Sequence, residues 1–124
     1  MMKKEFIPYK QALALKELGF DEPVINVYDL KSKELVLGED DEMIWAPVFP
    51  NNGATIAAPL HQQAFRWFRE KYQLHNGIYP YYDEYQFQIK DFRLPTNTPI
   101  NGGLMKYEEA ELACLKTLIE IIKQ

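Results

Sequence analysis

The chain has 124 residues, 47% hydrophobic and 26% charged, a balance that excludes a disordered chain and predicts one globular domain over 1–124. Fourteen Lys and Arg against 18 Asp and Glu give a net charge of −4. That argues against nucleic acid as a partner, because phosphate neutralisation calls for a basic surplus. A single cysteine, Cys114, excludes an internal disulfide, and no apolar run is long enough to span a bilayer.

The N-terminal MMKKEFIPYK has two lysines with no apolar stretch after them, so it does not read as a secretory signal and a cytoplasmic protein is expected. A first helix is predicted over 8–18. It opens at Pro8, carries Ala12, Leu13, Leu15 and Leu18 on one side, and stops at Gly19. A strand follows from Val24 to Leu30, then a polar turn at LKSKE and a return strand from Glu34 to Leu37. The acidic run Glu39, Asp40, Asp41 and Glu42 lacks the spacing of a calcium loop and reads as a charged loop tip. Residues 43–59 hold three prolines and Asn52-Gly53, and read as an irregular segment with apolar anchors.

A second helix is predicted from Pro59 to about Gln73. Its wide apolar face takes in Leu60, His61, Ala64, Phe65, Trp67, Phe68 and Lys71 or Tyr72, and Asn76-Gly77 reads as the turn beyond it. Tyr85, Phe87 and Ile89 then alternate with Gln86, Gln88 and Lys90, the period of a strand with one face buried. This makes a second hairpin, with Asp83-Glu84 as its turn and Pro80 on an edge or bulged strand. After a loop over 93–103, a third helix runs from about Lys106 to Lys123, with Leu112, Leu115 and Ile119 expected inside. The fold class expected is α+β: a small antiparallel sheet of two hairpins with three helices, in the order α-β-β-α-β-β-α.

Two groups of residues carry the candidate chemistry. Arg66 and Arg69 are neighbours on the second helix, while Trp67 points to its apolar side. They read either as a solvated edge or as a clamp for phosphate or carboxylate. Tyr79 and Tyr81 share one face of their strand and Tyr82 takes the other, so one set is left outside the core, where tyrosine suits ligands and interfaces. Catalytic and cofactor motifs are lacking: no HExxH, no CxxC, no phosphate loop at NGG 101–103, and Ser32, the one serine, stands in a lysine turn. Cys114 falls on an apolar helix face and reads as a buried structural thiol.

Three stretches, PYKQALALKELGFDEP, APLHQQAFRWFREKYQL and YEEAELACLKTLIEII, resemble uncharacterised small proteins encoded by phages, prophages and mobile elements of gut bacteria. The resemblance implies action inside a bacterial host cell and brings no activity or site residues. The first reading is therefore a non-enzymatic accessory protein that binds a host protein. The alternative is a small-molecule binder for a nucleotide-like signal, using Arg66, Arg69, Tyr79 and Tyr81. A small enzyme comes third. A homo-oligomer is compatible with either of the first two.

Overall fold

A computed structural model describes residues 3–37, 53–95 and 99–124. The fold is α+β, with three α-helices and two small antiparallel sheets among the described residues. The chain falls into two compact units, Met1–His61 and Gln62–Gln124. The acidic run 39–42 and most of the segment 43–59 lie outside the described residues.

In the first unit, helix α1 spans Tyr9–Glu17 after Pro8, and Ala12 and Leu15 are its buried residues. The strand expected over 24–30 is shorter, β1 at Val27–Asp29. Its ladder partner is not the expected return run. It is β2, Thr55–Ala57, inside the stretch read as irregular, with Tyr28 opposite Ile56. Residues Glu34–Leu37 still come back alongside β1, but they form one bridge, Tyr28 to Leu35, rather than a strand. Asn26, 2% exposed, holds that run. Its Oδ1 accepts from the N–H of Val27 and of Leu37, and its Nδ2 donates to the Leu37 carbonyl. One side chain thus supplies hydrogen bonds that a longer strand would supply with its backbone. Tyr28 donates its hydroxyl to the Ile7 carbonyl at 2.7 Å, and His61 Nδ1 lies 3.1 Å from the Glu5 carbonyl oxygen.

In the second unit, α2 spans His61–Tyr72, beginning in the last residue of the first unit. Ala64, Phe65, Trp67 and Phe68 are buried, as the apolar face predicts. Lys71 does not continue that face inward; its Nζ sits 5.0 Å from the centre of the Trp67 ring, a cation–π contact at the rim. The helix ends because Gln73 takes the left-handed region at φ 58°. That one residue turns the chain straight into β3, Leu74–Tyr81. Asn76-Gly77 is therefore not a turn but the middle of a strand.

Strand β4 runs Glu84–Asp91 and pairs with β3 from Leu74 opposite Asp91 to Tyr81 opposite Glu84. The connecting turn is Tyr82-Asp83, one residue earlier than expected, with Tyr82 left-handed at φ 58°. The two-residue β5, Ile100–Asn101, lies on the other side of β4. The hydrogen-bond phase follows from the Phe92 N–H donating to the Gln73 carbonyl. It sets residues 75, 77, 79 and 81 at hydrogen-bonded positions and Pro80 at a non-bonded one. The N–H that Pro80 lacks would point away from β4, so the proline costs the ladder nothing. Its partner Tyr85 instead exchanges two bonds with Met105 across the sheet, at 2.7 and 2.9 Å.

Helix α3, Tyr107–Lys123, packs on β3 and β4. Leu115 and Ile119 are buried as expected, together with Ala110, Cys114 and Leu118, whereas Leu112 is only partly covered. Phe87 and Ile89 of β4 are buried on the same side. The period-two pattern thus divides the hairpin cleanly, with Asn76, Ile78, Pro80, Tyr85, Phe87 and Ile89 on the helix-covered face.

Candidate functional site

The opposite face of the hairpin carries the candidate site. The register sets His75 opposite Lys90, Gly77 opposite Gln88, Tyr79 opposite Gln86 and Tyr81 opposite Glu84. Tyr79 and Tyr81 are 49% and 51% exposed, so neither ring is used to fill the core. Tyr82, at the turn, is 90% exposed and meets the Tyr81 ring edge-on at 4.9 Å.

Tyr79 leans back along its strand. A Cβ added at Gly77 would collide with the Tyr79 hydroxyl and the end of its ring, so the ring lies over the glycine. Further along, His75 and Phe92 meet edge-to-face at 4.7 Å. Between the Tyr79 ring and this pair is a recess of about 160 Å³, lined by His75, Gly77, Tyr79, Gln88, Lys90 and Phe92 among others. Every polar side chain in that group can donate a hydrogen bond, and among the described residues the lining contains no carboxylate.

Just beyond, Arg93 donates from Nε and an Nη to both oxygens of Asp91, at 2.9 and 2.8 Å. That fork, with the backbone N–H of Arg93, holds the Asp91 carboxyl below its ordinary range. The acid nearest in sequence to the recess is thereby matched by its own cation.

The four residues singled out in the sequence separate. Tyr79 is a wall of the recess and Tyr81 extends the same face toward the turn. Arg66 and Arg69 are exposed on α2, three residues apart, and neither lines the recess. Sequence reasoning missed His75, Gln88, Lys90 and Phe92. His75 and Phe92 are far apart in the chain and meet only through the register of the hairpin. No local motif announces them. Gly77 carried a signal, since an isolated glycine in a strand often marks a close approach, but Asn-Gly pointed to a turn.

No family model matches this chain, and no curated protein or solved structure does.

A larger hollow of about 350 Å³ lies in the first unit, lined by Asp29, Leu30, Lys31, Gly53 and Ala54. Its described lining residues offer no ring to stack on a base. The Asp29 carboxylate already accepts from the N–H of Lys31 and of Ser32, which lowers its pKa. Among the described residues no group of three His, Cys, Asp or Glu is placed to hold a metal ion, and no helix is long and apolar enough to cross a membrane. Cys114 is buried, and loss of hydration pushes its thiol up to about 12 despite a hydrogen bond with the Asn76 side chain. A thiol so placed is a poor nucleophile at neutral pH.

Proposed function

We propose that this chain is a non-enzymatic accessory protein of phage type that acts by binding a host protein through the outer face of the β3–β4 hairpin. One observation carries the reading: Tyr79 and Tyr81 are held half-exposed, side by side, on the hairpin face opposite the one that α3 covers. Tyrosine is enriched at the centres of protein interfaces because a rigid ring brings much apolar area and one hydroxyl at low entropic cost. Phe92, 46% exposed, extends the patch past the far end of the strand.

The size of the recess weighs against the small-molecule alternative. Pockets that enclose a whole ligand run to roughly 300–1,000 Å³, and this one is about 160 Å³. It fits one side chain of a partner better than a nucleotide. The arginines that would clamp a phosphate are not in its lining.

The test is co-purification of the tagged protein from bacterial cells, with wild type, the double variant Y79S/Y81S and the double variant R66Q/R69Q run side by side. A partner should come down with wild type and with R66Q/R69Q and be lost with Y79S/Y81S. Titration of the purified partner should repeat that order. A partner lost only from R66Q/R69Q would move the site to α2. Binding of cyclic or linear nucleotides to the wild type in calorimetry would favour the alternative.

A further inference from the structure

Resting on that reading, we infer that the recess between Tyr79 and the His75–Phe92 pair receives an acidic side chain of the bound partner, an Asp or Glu in an extended or loop segment. The chain as a whole is acidic, at −4, yet this recess is lined by Lys90, His75 and Gln88 with no carboxylate among its described residues. The sign of the site is therefore opposite to that of the protein around it. Lys90 and His75 are directly opposed in the ladder, so their side chains rise from the same face side by side. The Tyr79 hydroxyl is carried toward them, because the ring lies back over Gly77. Donors thus stand on both sides of a space large enough for a carboxylate, flanked by the half-exposed rings of Tyr79 and Phe92. A charge-assisted hydrogen bond in such a place is about twice as strong as a neutral one.

The acidic residues of the hairpin do not cancel this. Asp91 is tied to Arg93. Asp83 and Glu84 lie at the turn end, Glu84 six residues along β4 from Lys90, which is about 20 Å at strand rise. That is beyond the screening length of about 8 Å at physiological salt. The outer face is therefore polarised along the strand, with its cationic end at the recess.

The experiment is selection of a random peptide library on the immobilised full chain, with Y79S/Y81S and K90E as parallel targets. Lys90 is exposed, so K90E leaves the core untouched. Peptides enriched on wild type should share an Asp or Glu at one fixed position next to an apolar residue. Their affinity should fall about five- to tenfold on K90E, the scale of one partly exposed charge-assisted contact. Replacing the shared acid by Lys should restore binding to K90E. Peptides that depend on the tyrosines but carry no shared acid, or that bind K90E undiminished, would overturn the acidic-side-chain inference and leave the protein-binding reading standing. No peptides dependent on the tyrosines would overturn both.

Discussion

The ring of Tyr79 lies over Gly77, two residues back on the same strand. Gly77 is not in a left-handed conformation, so an alanine there meets no backbone strain, and its nearest conflict is with the movable end of the tyrosine. The variant G77A should fold with stability within about 1 kcal/mol of wild type, since alanine suits a strand no worse than glycine. Tyr79 must then swing away, and the recess loses a wall. Partner or peptide binding should weaken while the melting temperature holds. If G77A binds as wild type does, the tyrosine's position over the glycine is irrelevant to recognition.

Removing the two exposed rings should cost little stability. Surface substitutions away from special features stay within about 0.5 kcal/mol, so Y79S/Y81S should unfold within a few degrees of wild type. A large loss would mean that these rings serve the fold, and their exposure would no longer point to a partner.

Asn26 is the costly polar residue. It is buried and makes three hydrogen bonds, to the N–H of Val27 and to the N–H and carbonyl of Leu37. N26A leaves those backbone groups without their partner and should destabilise by about 2–4 kcal/mol in denaturant titration. A change under about 0.5 kcal/mol would show that the run Glu34–Leu37 holds its place without it.

Stability should fall on the alkaline side. Burial raises the Cys114 thiol from 9.0 to about 12 and raises the Tyr28 hydroxyl above 10.0. A raised pKa in the folded state means that the unfolded chain releases its proton first. The stabilisation is complete below the unfolded pKa and is lost as pH climbs toward the folded one. Unfolding free energy measured between about pH 8 and 11 should decline, and C114A should flatten that decline whatever its effect at neutral pH. The native thiol should react slowly with an aromatic disulfide reagent and quickly in denaturant; prompt native labelling would contradict its burial.

Much of this fold is written locally. The alternation through Tyr85, Phe87 and Ile89 fixes which face of β4 is inside, and on the apolar side of α3 Ala110, Cys114, Leu115, Leu118 and Ile119 come out buried while Leu112, Ile121 and Ile122 are partly covered. Strand β2 was not legible because three residues, Thr55–Ala57, carry no period of their own and are strand only by pairing with β1. The turns slipped for a related reason. Gln73 and Tyr82 adopt left-handed φ, a region that local preference gives to Gly and Asn, so Asn76-Gly77 and Asp83-Glu84 were the natural but wrong choices. The site was half legible. Two tyrosines in period two suggest an exposed face, while His75, Lys90 and Phe92 join it only when the register of the two strands is known.

The most direct measurement of the central claim is a photo-crosslinking scan in bacterial cells. A photoreactive residue is placed in turn at positions 79, 81 and 92 on the outer sheet face, at 66 and 69 on α2, and at 120 on α3. The tyrosine face as interface predicts one discrete protein adduct from positions 79, 81 and 92 and none from 66, 69 or 120. Adducts from the α2 positions with none from the sheet would contradict it.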